Sequence, residues 1–125
     1  MALITSAPFI LASASPRRVE LLQDLGLSFT VMPSGADETY RPGETPSAHV
    51  RRISQAKAMV VAVDYPEAWV LGADTIVVID GEVLGKPKDR EDARRMLRRL
   101  SGREHHVFTG FTIVRKSVSV LRRKT

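Results

Sequence analysis

One run, Trp69–Ile79, constrains the fold more than any other part of the chain. It reads Trp-Val-Leu-Gly-Ala-Asp-Thr-Ile-Val-Val-Ile, rich in β-branched residues and without the polar alternation of a half-exposed strand. Such a run suits a strand covered on both faces, as in the middle of an α/β sheet. Asp80-Gly81 is a tight-turn dipeptide, so Glu82–Leu84 should fold back as a hairpin partner. The one charged residue of the run is Asp74. A carboxylate inside an apolar sheet is costly to desolvate unless it meets a cation, a metal or hydrogen-bond donors. Asp74 therefore has such a partner, or it ends one strand and caps a turn.

The flanking elements alternate in type. Pro8-Phe9-Ile10-Leu11-Ala12 reads as a buried strand and residues 19–26 as a short helix with a glycine stop. Between them, Ser13-Ala14-Ser15-Pro16-Arg17-Arg18 forms a strand-to-helix turn in which Ser15 suits the N-cap and Pro16 the first helical position. Free amides, two hydroxyls and two guanidinium groups at one helix N-terminus make an anion site, with phosphate the commonest biological anion. The same residues also suit an ordinary capped helix with solvated arginines.

Residues 28–32 alternate like a second strand, and residues 34–44 form a loop rich in turn formers and acids. Thr45-Pro46 repeats the cap-plus-proline start, and Val50, Ile53, Ala56, Val60 and Val61 recur at helical spacing up to Asp64-Tyr65-Pro66. Asp89 should cap a third helix with a buried stripe of Ala93, Met96, Leu97 and Leu100, opposite a solvated face of Arg94, Arg95, Arg98 and Arg99. Residues 105–114 read as a further strand with Val107, Thr109, Phe111 and Ile113 on one face, and residues 116–125 complete no recognisable element. The expected fold is α/β, a mixed sheet flanked by helices, with one domain over residues 1–114 and a basic tail over 115–125.

Composition excludes several classes of function. A chain of 125 residues is one domain by size, and 43% apolar with 26% charged residues is the balance of a globular protein. No apolar run approaches the roughly 18 residues that span a bilayer, so neither a membrane partner nor a secretory leader is expected and the location is read as cytoplasmic. The absence of cysteine excludes disulfides and thiolate metal sites. The net charge of +5 is not a nucleic-acid signature: five of the nineteen Lys and Arg lie in residues 115–125, leaving fourteen to balance the fourteen Asp and Glu of the body. There is no Gly-Lys-Ser/Thr loop and no GxGxxG after a strand. His105 and His106 are adjacent, so on a strand they point to opposite faces and cannot chelate one ion.

Four further residues carry charge where it needs an explanation. Lys57 lies near the buried stripe of the second helix, where a cation wants an anion. Lys86 follows the hairpin that starts from Asp74 and would return to the same end of the sheet, able to meet phosphate as a point charge. Asp37 and Glu38 lie in the acidic loop and offer hard oxygen ligands for Mg²⁺, although loop acids are usually just solvated.

Taken in order, Ser13-Ala14-Ser15-Pro16-Arg17-Arg18, Asp37-Glu38, Gln55-Ala56-Lys57-Ala58, Gly72-Ala73-Asp74-Thr75, Gly85-Lys86-Pro87 and Leu100-Ser101-Gly102 resemble the Maf-type nucleoside triphosphate pyrophosphatases, also called septum formation proteins. Each fragment is short, but the ordered set is specific, and it runs from about Phe9 to about Arg115. The resemblance implies the architecture shared by Maf proteins and inosine triphosphatases. It also implies metal-dependent cleavage of a nucleoside triphosphate between its α and β phosphates, with Mg²⁺ or Mn²⁺ as cofactor. By the same resemblance Asp74 is the acid/base that activates water, and Glu38 with Asp74 holds the metal. Ser13, Arg18, Lys57 and Lys86 clamp the phosphates, while Arg17 and Thr75 match the branch that prefers dTTP and UTP. A homodimer is compatible with it. Family members continue beyond Arg115 through a Tyr-Gly-Ile-Gln-type segment whose glutamine contributes to base recognition. Its absence here makes the expected sheet incomplete on its C-terminal side, as truncation or a shifted reading frame would. The alternative function is a truncated chain that binds nucleotide, or a partner at the division septum, without turnover.

Overall fold

Trp69–Ile79 is a single unbroken strand, β3, and the rest of the molecule is laid out on either side of it. The structure is a computed structural model that describes residues 8–13, 15–84, 89–102 and 105–125. Around β3 stand β1 (Phe9–Ala12), α1 (Pro16–Asp24), β2 (Thr30–Val31), α2 (Pro46–Ala62), β4 (Glu82–Leu84), α3 (Arg90–Leu100), β5 (His106–Arg115) and β6 (Val120–Lys124). The sheet is mixed. Its order is β2-β1-β3-β5-β6, with β1 parallel to β2 and β3, β5 antiparallel to β3 and β6, and β4 antiparallel to the end of β3. Asp80 and Gly81, both at positive φ (50° and 75°), make the β3–β4 turn that the Asp-Gly pair predicts.

The long helix α2 crosses β3 and β5 and closes the main core. Its Thr45 hydroxyl accepts the Ala48 amide, and Val50, Ile53, Ser54, Ala58, Val61 and Ala62 are buried against the sheet. Val60, expected in the stripe, is exposed. Two glycines let the helix lie close. A Cβ on Gly72 would stand 2.2 Å from the Ser54 carbonyl oxygen, and one on Gly110 would stand 2.3 Å from that of Val50. One polar pair crosses this interface: the Ser54 and Thr112 hydroxyls bond at 2.7 Å.

Several expectations are corrected. Cover on β3 is continuous on the α2 face but partial on the other, where Leu11, Ala73 and Ile79 are buried while Thr75, Val107 (59% exposed) and Phe111 (46%) are open. Val107, Thr109, Phe111 and Ile113 do share one face of β5, but Gly110, Thr112 and Val114 are the residues packed under α2. The proposed core stripe of α3 is not buried, and Leu97 is 68% exposed. Its arginines instead make exposed ion pairs with the β3–β4 hairpin: Arg99 with Glu82 and Asp80, and Arg95 with Glu82. The second strand is only Thr30–Val31. Residues 116–125 do form structure, a 3-10 turn and β6, because the edge of β5 offers a partner in register from Phe111↔Lys124 to Arg115↔Val120. No helix among the described residues is long and apolar enough to cross a membrane.

Candidate active site

A gap in the strand pairing creates the site. β1 leaves β3 at Gly72 and β4 joins it at Val77, so on that edge residues 73–76 have no partner strand among the described residues. The β1–α1 turn lies beside the gap. Together they leave a cleft of ≈ 370 Å³ lined by Ser13, Ser15, Pro16, Arg18, Lys57, Asp74 and Thr75.

The turn is tied by Ser13 and Arg18. Ser15 occupies the N-cap of α1 as its sequence suggests, but its side chain makes no cap bond. Its amide instead donates to the Ser13 hydroxyl (3.1 Å), which also accepts from Arg18 Nη1 (3.2 Å). Arg18 Nη2 donates to Thr75 Oγ1 (2.8 Å), and Thr75 bonds Thr109 at 3.1 Å. Burial pushes the Arg18 guanidinium below its ordinary pKa, while the negative charges of Asp74 and Glu38 pull it back up. A guanidinium held this way keeps its charge and its fork geometry. Arg17, on the same turn, is exposed.

Asp74 sits in the middle of β3, not at a strand end, and its cation is Lys57. Lys57 Nζ lies 3.2 Å from Asp74 Oδ1, 3.3 Å from the Ala73 carbonyl and 3.0 Å from Glu38 Oε1. One ammonium thus bridges two carboxylates, a buried one on the sheet and a half-exposed one on the loop. The other oxygen of Asp74, Oδ2, is buried and has no hydrogen bond. Asp37 serves the loop: its Oδ1 accepts the Thr39 amide at 2.9 Å.

A second group of residues, absent from the expectations, lies behind Asp74. His49 is buried on α2, with Nε2 3.8 Å from Asp74 Oδ2 and Nδ1 3.0 Å from Glu44 Oε1. Arg52 grips Glu44 through Nε to Oε2 (2.6 Å) and Nη2 to Oε1 (2.9 Å), and that bond, with His49 adding to it, holds the Glu44 carboxyl down at about 2. The Tyr40 ring stacks on His49 at 4.5 Å. A signal was present in the sequence: His49, Ile53 and Lys57 are spaced i, i+4, i+8 and so share one stripe of the helix. Lys86 lies outside the described residues.

Chemically, the cleft offers a buried carboxylate, an ammonium, a guanidinium and hydroxyls at a helix start, and Glu38 adds a second carboxylate beside that ammonium. Among the described residues no three His, Cys, Asp or Glu form a metal cluster. Glu38 and Asp74 alone still fit a hard divalent ion: both are oxygen donors, a cation already stands between them in Lys57, and Asp74 Oδ2 lacks a donor. An ion of the Mg²⁺ type uses one or two carboxylates and completes its shell with phosphate oxygens and water.

Comparison with known proteins gives the family. The sequence model of the family described as Maf-like protein matches residues 8–125, past the Arg115 limit read from the motifs. A dTTP/UTP pyrophosphatase of Syntrophus aciditrophicus is 61% identical over 107 residues, which is 86% of this chain and 52% of that protein. The protein of the same name from Symbiobacterium thermophilum is 56% identical over 106 residues (85% and 55%), and that from Myxococcus xanthus 54% over 104 residues (83% and 53%). The chain spans about half the length of these curated relatives.

Proposed function

The chain belongs to the Maf-like protein family, and from that premise we propose that it is a cytoplasmic pyrophosphatase converting dTTP or UTP, with a divalent metal ion, to the monophosphate and pyrophosphate. The observation that carries this reading is the buried Asp74 carboxylate, open at the cleft and bridged through Lys57 to Glu38. Such a pairing of carboxylates and cations suits a metal-bound triphosphate far better than a neutral ligand. The names of the relatives supply the nucleotide class.

In the reaction, a water oxygen bonds to the α-phosphorus, the bond from that phosphorus to the bridging oxygen of the β-phosphate breaks, and pyrophosphate leaves. Asp74 takes the proton that the water loses. Phosphoryl chemistry of this kind depends mainly on positioning and charge. Ser13, Arg18 and Lys57 hold phosphate oxygens from the turn and the α2 side, and the resemblance of its motif adds Lys86 to them. Glu38 and Asp74 would hold the metal, which when bound would supply positive charge to the phosphate oxygens. Arg17 and Thr75 contribute to the choice of base.

The test is release of pyrophosphate by the purified chain from dTTP and UTP with Mg²⁺ or Mn²⁺. Asp74→Asn should abolish it, and a natively folded chain that releases none overturns the reading.

A further inference from the structure

The imidazole of His49 is buried, is held at one edge and stacked on one face, and has no part in the chemistry described so far. Glu44 holds its Nδ1 side at 3.0 Å, and Arg52 in turn holds Glu44 with two bonds. Arg52 Nη2 also donates to the Thr39 carbonyl (2.8 Å), next to Glu38 in the chain. The Tyr40 ring lies against the imidazole at 28° and its hydroxyl donates to the Glu44 carbonyl. Because Glu44 is ionised and accepts, Nδ1 carries the hydrogen and the ring cannot turn over without losing that bond. The remaining edge, Nε2, faces Asp74 Oδ2 at 3.8 Å. That is longer than a hydrogen bond and too close for a water to lie between.

We infer that His49 is the positioning residue for Asp74, setting the rotation of its carboxylate and locking it to the loop that carries Glu38. Lys57 fixes Oδ1 from one side, and the polar Nε2 edge of the imidazole faces Oδ2 from the other. Both come from one stripe of α2, so the helix presents Asp74 with a clamp of constant width. Glu38 is brought to the same ammonium by a loop that Arg52, Glu44 and Tyr40 bind to that helix. The kinetic consequence rests on the pyrophosphatase reading. The geometric one does not.

Three variants of the full chain separate this role from simple support of the loop. His49→Asn keeps a nitrogen near Nδ1 for Glu44 and empties the Asp74 side; His49→Gln, one methylene longer, carries an amide to the position of Nε2; His49→Phe keeps the stack on Tyr40 without a nitrogen. Each is read by kcat and KM for dTTP with Mg²⁺, and by the ¹³C resonance of the Asp74 carboxyl carbon in the folded chain without nucleotide or metal. Loss of an outer residue that orients an active group lowers activity by about 10-fold or more, expected here in kcat for the Asn and Phe variants. KM should stay within about twofold, and the Gln variant should keep kcat within about threefold of the parent. The Asp74 resonance should move in the Asn and Phe variants and stay near the parent position in the Gln variant. An Asn variant that matches the parent in both readouts overturns the inference and leaves His49 a loop support. A parent chain without turnover would sink the pyrophosphatase reading alone, and the resonance comparison would still decide the role of His49.

Discussion

Gly72→Ala would drive a methyl group into the backbone of α2 at one place. The new Cβ would stand 2.2 Å from the Ser54 carbonyl oxygen, 2.8 Å from the Ala58 nitrogen and 3.0 Å from the Ala58 Cβ. The first two atoms belong to one i→i+4 step of the helix, so neither can turn aside as a flexible side chain would. A carbon–oxygen contact settles near ~3.3 Å, which requires α2 to retreat by about 1 Å over Gly72. Overpacking of this kind typically costs about 1–3 kcal/mol, and the stiff 17-residue helix places this case near the upper end. Lys57, adjacent to Ala58, would move away from Asp74 Oδ1, now at 3.2 Å. A misplacement of about 1 Å at reacting groups can cost on the order of 100-fold in rate. Urea unfolding followed by the fluorescence of Trp69, the sole tryptophan and the first residue of β3, measures the first effect. With a slope of about 1.5 kcal/mol/M, the midpoint should fall by about 2 M. Gly35→Ala, where a Cβ meets nothing within 4 Å, is the control and should stay within about 0.5 kcal/mol of the parent. A Gly72→Ala chain that unfolds at the parent midpoint would refute the close-approach argument.

Two other perturbations test the charge network. Lys57→Met leaves the Asp74 carboxylate buried without its cation and should destabilise the chain by about 2 kcal/mol in the same urea assay; an unchanged midpoint would mean that solvent already serves Asp74. The Arg52 and His49 bonds hold the Glu44 carboxyl down at about 2 in the fold, below its ordinary 4.5, so its stabilising contribution is complete above about pH 4.5 and is lost as pH falls toward 2. The parent should therefore melt above Glu44→Gln near neutral pH and lose that advantage in acid, and a gap in melting temperature independent of pH would remove Glu44 from the account.

The elements that local chemistry specifies were readable in advance. Thr45-Pro46 opens α2, Asp80-Gly81 turns the hairpin, and the charge anomaly at Asp74 pointed to a partnered carboxylate. What escaped depends on approach between distant segments. Both faces of β5 carry apolar residues, and the inward face is decided by Gly110 meeting the Val50 carbonyl, a contact that no period in the sequence encodes. The α3 stripe is apolar enough to suggest a core, yet its docking runs through arginines on Glu82 and Asp80. His49 escapes a reading of the sequence, because its meaning comes from Glu44 across the helix entry and from Asp74 on a strand 25 positions away.

β6 gives the charge imbalance a different sense. It is the last strand in the sheet order, so its outer backbone groups face away from any partner strand among the described residues. An open edge of this kind recruits other strands, and natural sheets resist that with lysine and arginine along the edge. Arg122, Arg123 and Lys124 lie there, in the part of the chain that supplies the whole excess of +5. In this sheet, then, the basic excess is not a loose tail but three charged side chains set along one strand, the kind that disfavours edge-to-edge pairing.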